Sequence, residues 1–210
     1  MKLISATPSP YARKVRIALA EKGIPFELVT EVPWNADTQT PRYNPLEKLP
    51  ILVMDDGSSI YESHFILEYL EMKHPTPSLL PSDDDDILAA KRLQVLGDGV
   101  CDALVLLFFE RLRPSDHRSN PWMARQRRKM DGGVREIARS IGDRHWAVGN
   151  RFGLGDIAVG CTMCILDLRF PELEWRKSYP SLAKYVDRLA ERPSFRETVP
   201  VIQNIAAAAI

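Results

Sequence analysis

The side chains best placed for chemistry begin at Ser9, within the stretch Thr7-Pro8-Ser9-Pro10-Tyr11-Ala12-Arg13. Serine is a favoured helix N-cap, and proline suits the first helical position because its missing N–H leaves no bond unmade there, so this spacing predicts a helix opening at Pro10. On these residues alone Ser9 reads first as a structural cap. The same position also sets a hydroxyl beside the N–H groups at the positive end of a helix, where an anion is stabilised; a thiolate would suit it. No His or Asp accompanies Ser9 in an arrangement that would deprotonate it, which argues for a hydrogen-bond donor and against a nucleophile.

Two further segments carry polar chemistry at element ends. Asn44-Pro45-Leu46-Glu47-Lys48-Leu49-Pro50-Ile51-Leu52-Val53 is a loop entering a strand with proline at the entrance. In Ile60-Tyr61-Glu62-Ser63-His64 a strand runs into a helix, and Ser63 can act with Glu62 near the helix N-terminus. Other motifs carry less. The histidines, at 64, 74, 117 and 145, have no metal-ligand spacing, so no metal is expected. Cys161-Thr162-Met163-Cys164 has the spacing of a redox pair but falls inside an apolar helical pattern, away from the helix start that would stabilise a thiolate, and reads as core.

The elements that would position these residues fall into two halves. Residues 1 to about 80 alternate short apolar runs with amphipathic stretches, the pattern of an α/β layer; the remainder is almost purely helical. Strands are predicted over Lys2–Ser5, Phe26–Val29, Pro50–Met54 and Ser59–Tyr61, the last two as a hairpin turning at Asp55-Asp56-Gly57. Helices are predicted from Pro10 to Lys22, with Gly23 as a left-handed cap, and from Glu62 onward. The proline-rich stretch around Pro75, Pro77 and Pro81 resists regular structure. It divides an N-terminal domain (1–75) from an all-helical domain (87–210) through a linker (76–86). Helices are predicted there over Ile87–Leu112, Trp122–Ile141, Leu154–Leu168 and Leu182–Arg192. The acidic run Asp83–Asp86 suits the start of the first of these and lacks the glycine and terminal Glu of a calcium loop.

Composition narrows the partners. The 28 basic and 28 acidic side chains cancel, leaving no global field to gather nucleic acid or an anionic membrane. The local cluster Arg125-Gln126-Arg127-Arg128-Lys129 lacks interleaved aromatics and reads as a solvated helix face. No apolar run approaches the roughly 18 residues of a membrane span, and Met1–Ser5 is too short for a signal peptide. Three cysteines leave one over from any pairing, which fits a reducing compartment, and a cytoplasmic location is expected.

The Ser9 segment, the Leu49-Pro50 strand entrance and the Glu62-Ser63 pair, in that order within one N-terminal domain, resemble the glutathione transferase superfamily, over essentially the whole chain. The resemblance implies a thioredoxin-like domain followed by a helical bundle domain, with glutathione as co-substrate. It implies that Ser9 donates to the glutathione sulfur. It further implies a cis Leu49–Pro50 peptide, with Lys48 beside it and the backbone of Leu49 pairing with the cysteinyl part, and Glu62 and Ser63 at the γ-glutamyl end. The reaction implied is thiolate attack on a small electrophile. A stripe including Phe108 and Arg111, with Tyr11 and Trp122, could line the hydrophobic substrate site, although core packing explains most of the stripe equally well. A homodimer is implied, in which Asp98 or Asp102 reaches the partner's γ-glutamyl amine or else stays a solvated helix residue. Gly153 and Asp156 are similar to the family's helix-capping box, with glycine as the cap. The Ser9-Pro10-Tyr11-Ala12 stretch is similar to the omega-type site with serine replacing cysteine, and Lys14–Leu19 to a zeta-type segment. Alternatives are therefore an isomerase of the maleylacetoacetate type and a non-catalytic protein-binding relative. No nucleic-acid or membrane partner is expected.

Overall fold

The structure, a computed structural model, describes residues 1–205. The described chain forms two compact units, the first holding Met1–Leu79 together with residues 193–205, the second Leu80–Arg192. The last stretch, read from sequence as the end of the helical half, thus returns to the first unit.

The first unit opens with β1 (Lys2–Ser5), α1 (Pro10–Glu21) and β2 (Glu27–Thr30), and continues through β3 (Ile51–Val53), β4 (Ser59–Tyr61) and α2 (Ser63–Lys73). Its sheet runs in the order β2-β1-β3-β4. The β1–β2 pair is parallel, whereas β1–β3 and β3–β4 are antiparallel. The second strand begins one residue later than the apolar run suggests, because the parallel ladder pairs Lys2 with Glu27 and Ser5 with Thr30. Leu3, Ile51, Leu52, Val15, Leu19, Ile66 and Leu70 are fully buried and make the core.

α1 is started by Ser9, whose Oγ accepts from the Ala12 N–H at 3.2 Å, with Pro10 in its first turn. The chain leaves it at Gly23, where φ is +64°, a conformation glycine adopts without a Cβ penalty. Lys22 would be costly here, since its ammonium is fully buried. It is satisfied by Glu71 Oε1 at 2.6 Å and by the carbonyls of His74 and Pro77, each at 2.8 Å, one acceptor for each proton. That triple bond ties the end of α1 to the end of α2 and the stretch beyond it.

The second unit contains α3 (Asp84–Leu112), α4 (Asn120–Ile141), α5 (Leu154–Arg169), α6 (Trp175–Ser178) and α7 (Pro180–Ala190). The aspartate run behaves as a cap: Asp83 Oδ1 accepts from the N–H groups of Asp85 and Asp86. Both α4 and α5 pack on α3. Close approach to α5 occurs at Gly97, where a Cβ would lie 2.6 Å from Thr162 Oγ1. Cys161 is buried and Cys164 half-buried in α5. The capping residue of α5 is Gly153, whose N–H donates to Asp156 Oδ2 at 2.9 Å. Asp156 also accepts from the Ala147 N–H and the Tyr185 hydroxyl, joining α5 to α7 and to the preceding loop. A final short helix, α8 (Pro193–Arg196), belongs to the first unit. No helix among the described residues is long and apolar enough to cross a membrane.

Candidate glutathione site

Strand register decides which predicted residues meet. Ile4 near the end of β1 is paired with Ile51 at the start of β3, and Ile51 is paired in turn with Tyr61 at the end of β4. The chain leading from β1 to Ser9, the Leu49-Pro50 entrance to β3 and the Glu62-Ser63 exit from β4 therefore lie at one end of three adjacent strands. Strands lie about 4.8 Å apart, so these backbones span roughly 10 Å at the sheet, a length suited to an extended tripeptide.

At the first position the Ser9 hydroxyl spends one lone pair on the Ala12 N–H, which leaves its own proton to donate elsewhere. Capping and donation to a ligand are thus compatible. Ser9 is half-buried, and Tyr11, two residues on, is half-buried also.

At the second position the Leu49–Pro50 peptide is cis. Its loop is held by Asn44, which is buried. Asn44 Nδ2 donates to the Lys48 carbonyl at 2.8 Å, while Oδ1 accepts from the Leu46 N–H at 2.9 Å. The Asn44 carbonyl accepts from the Glu47 N–H at 2.9 Å, and Glu47 itself lies at φ +54°. Asn44 thereby sets the path of Lys48 and Leu49, a role the sequence signals only through the turn-forming Asn-Pro pair. The Lys48 side chain is exposed and Leu49 is half-buried.

At the third position Glu62 caps α2 from φ +73°, a region sparsely populated by non-glycine residues. Both carboxylate oxygens accept from the His64 N–H at 3.1 Å, and the Ser63 hydroxyl donates to Oε1 at 3.1 Å. Ser63 is buried whereas Glu62 is exposed. The anionic side chain thus faces solvent at the start of a helix whose N–H groups attract a second carboxylate.

The remaining predicted residues lie in the second unit. On α3, Phe108 meets Phe109 edge-to-face at 5.2 Å and carries the Arg169 guanidinium over its ring at 4.4 Å. Burial pushes the Arg169 pKa down. Arg111 stacks over Phe170 at 4.5 Å and pairs with Glu172 at 2.6 Å. Burial works against the Glu172 charge, but the Arg111 bond, its own backbone N–H and the Arg111 and Arg127 charges together hold the carboxyl below its usual range. Trp122 is exposed in the first turn of α4; Asp98 is half-buried and Asp102 exposed on α3. A depression of about 680 Å³ in this unit, lined by Asp86, Arg144, His145, Trp146 and Asn150 among others, contains none of the predicted residues.

Comparison with known proteins accounts for this arrangement. The glutathione S-transferase N-terminal domain matches residues 8–73 and the glutathione S-transferase C-terminal domain residues 120–188. A glutathione S-transferase from Methylobacterium radiotolerans, solved with glutathione sulfonate, is 63% identical, covers 98% of this chain and 97% of its own, and superposes with a TM-score of 0.96. Another from Methylobacillus flagellatus, with glutathione bound, is 38% identical with a TM-score of 0.91, covering 95% of this chain and 99% of its own. The GST-like protein YibF of Escherichia coli is 34% identical over 95% of this chain and 98% of its own length. The chain belongs to the glutathione S-transferase family, with a thioredoxin-like N-terminal domain and a helical C-terminal domain.

Proposed function

We propose that this glutathione transferase binds glutathione across the end of the sheet shared by β1, β3 and β4, and uses Ser9 to hold its sulfur as a thiolate. The observation that carries this reading is the register Ile4, Ile51, Tyr61, which gathers the three segments. The γ-glutamyl carboxylate takes the N–H groups at the start of α2 with the Ser63 hydroxyl, and its ammonium takes the Glu62 carboxylate. The backbone of Leu49 pairs with the cysteinyl unit beside Lys48 and Pro50, as an added strand would.

The sulfur then lies at the start of α1, within reach of the Ser9 proton. A hydrogen bond to a charged acceptor contributes about 1.5–3 kcal/mol, which lowers a thiol pKa by roughly one to two units from about 8.5. Much of the bound glutathione is then thiolate at neutral pH. The thiolate forms a C–S bond with an electrophilic carbon of a small substrate while the leaving group departs with the displaced electron pair, the protein supplying proximity and desolvation. The family resemblance supports Tyr11, Phe108, Arg111 and Trp122 as candidates to contact that substrate. The family resemblance supports action in the cytoplasm as a homodimer, with Asp98 or Asp102 reaching the partner's glutathione.

Retention on a glutathione column and turnover of a chlorodinitroaromatic substrate test the reading. Failure to bind glutathione would overturn it.

A further inference from the structure

The chain beyond Arg192 lies outside both matched family domains, the second of which ends at residue 188. Residues 193–205 nevertheless form part of the first unit, and their bonds converge on the segment that carries Ser9. Arg13, one turn after Ser9 and 3% exposed, donates through Nε to Thr198 Oγ1 at 3.2 Å and through Nη2 to the Phe195 carbonyl at 3.1 Å. Its guanidinium also lies over the Phe195 ring. Arg16 donates to the Glu197 carbonyl at 3.2 Å, and Ser194 to Glu21 at 2.6 Å. Together these bonds hold α8 and the residues after it against α1.

The chain then continues past the start of α1. The Thr7 hydroxyl donates to the Val201 carbonyl at 2.8 Å, and Gln203 reaches the Glu31 carbonyl at 3.3 Å beyond β2. Thr7 is a residue of the turn that delivers Ser9, closed by the Ser9 N–H donating to the Ala6 carbonyl at 3.1 Å. Pro8 restricts its own φ and excludes Thr7 from the helical region, so the turn has few soft torsions. A tie at Thr7 therefore removes freedom two residues from the Ser9 hydroxyl, while Arg13 fixes the helix on the other side.

We infer that Thr7 is a positioning residue for the reaction, and that the chain segment around Val201 serves as the external strut that fixes where the Ser9 hydroxyl points. This inference rests on the proposed role of Ser9. A hydrogen bond to sulfur weakens steeply when misaligned, so loosening the turn should act on the thiolate more than on the binding of the tripeptide, whose other anchors lie at β3 and α2.

The test compares Thr7→Val, Thr7→Ser and Ser9→Ala as full-length proteins. Glutathione affinity is measured by calorimetry, melting temperature by circular dichroism, and the pH dependence of kcat/KM with a chlorodinitroaromatic substrate. Thr7→Val is expected to keep glutathione affinity within about twofold, to raise the apparent pKa of bound glutathione by about half a unit and to lose several-fold in rate at neutral pH, with Thr7→Ser restoring both. Removing the chain from residue 201 on should reproduce the Thr7→Val profile. If Thr7→Val shifts only the melting temperature, or nothing, while Ser9→Ala moves the profile, the strut is refuted and the Ser9 role stands. If Ser9→Ala leaves the profile unmoved, the Ser9 role falls, and the inference with it.

Discussion

Glu62 and Ser63, the two side chains proposed to receive the γ-glutamyl end of glutathione, are bonded to each other: the Ser63 hydroxyl donates to Glu62 Oε1 at 3.1 Å. The same carboxylate caps α2 through the His64 N–H. Binding then exchanges partners on an anion already in place, with no need to order a mobile one. Those intramolecular bonds also keep Glu62 at its positive φ, where a non-glycine residue is otherwise disfavoured.

Replacing Glu62 by Gln separates its charge from its geometry. The amide oxygen still accepts from the His64 N–H, so the cap survives and the melting temperature should move by no more than a few degrees. The ion pair with the glutathione ammonium becomes an ammonium–amide hydrogen bond that lacks the carboxylate charge, and affinity should fall by about tenfold in a calorimetric titration. Unchanged affinity would place the ammonium elsewhere.

Ser9→Ala carries two separable consequences. Loss of the Ala12 cap should cost about 1 kcal/mol in a urea melt, as for other helix caps. Loss of the donor to sulfur should raise the apparent pKa of bound glutathione by about one unit, so the rate falls about tenfold near neutral pH and approaches that of the parent protein above about pH 9. A melt that falls with no change in the pH–rate profile would leave Ser9 a cap and nothing more.

Part of this site is legible in the sequence. Ser9, Pro50 and Glu62 each sit at an element boundary, and boundaries are announced by residue types with restricted torsions or capping side chains, so local chemistry exposed them. The antiparallel register that brings them to one end of the sheet is a long-range property; alternation places apolar side chains on the core face but does not name the partner strand. Asn44 was hidden for a related reason, since its value lies in a bond to the Lys48 carbonyl that only the folded loop creates. Thr7 and Arg13 find their partners at Val201, Phe195 and Thr198, more than 180 residues away, where no sequence pattern links them. The ammonium of Lys22, read only as a helix end, is likewise buried by its partners Glu71, His74 and Pro77.

Asp156 supplies a pH-dependent prediction in the second unit. Burial raises its carboxyl pKa above the ordinary value, while the bonds from Tyr185, Ala147 and Gly153 oppose that rise in part. Tyr185, whose own pKa is raised well above its ordinary value by burial and then by the Asp156 charge, remains a donor throughout the neutral range. Between the unfolded and folded pKa of Asp156 the native state holds a proton that the unfolded chain has released. Stability contributed by this group therefore falls as pH rises through that window and levels off above it. Tyr185→Phe removes a donor to the charged form and should cost about 1.5–3 kcal/mol at pH 7, but distinctly less at about pH 3, below even the ordinary carboxylate value, where Asp156 is protonated. Guanidinium melts at the two pH values check this; an equal penalty at both would mean the hydroxyl does not serve the carboxylate.

Glycines in the long helices separate packing from propensity. Glycine in a helix interior is disfavoured relative to alanine by about 0.5–1 kcal/mol, so alanine should stabilise wherever its methyl has room. Gly99 in α3 and Gly132 in α4 are exposed, and a Cβ at either would meet no atom within 4 Å. Gly97, half a turn from Gly99, faces the opposite circumstance. Its Cβ would lie 2.6 Å from Thr162 Oγ1 and 3.3 Å from the Ala158 carbonyl oxygen. The hydroxyl cannot swing away without cost, because it donates to that same carbonyl at 2.8 Å, and the carbonyl is part of the α5 backbone. Relief requires α3 and α5 to separate, and overpacking of this kind costs about 1–3 kcal/mol, enough to outweigh the gain in propensity. Urea melts should therefore show Gly99→Ala and Gly132→Ala above the parent protein and Gly97→Ala below it. Stabilisation at Gly97 as well would mean the α3–α5 seam yields to a methyl group, and that the close approach there comes from the backbone's freedom and not from packing.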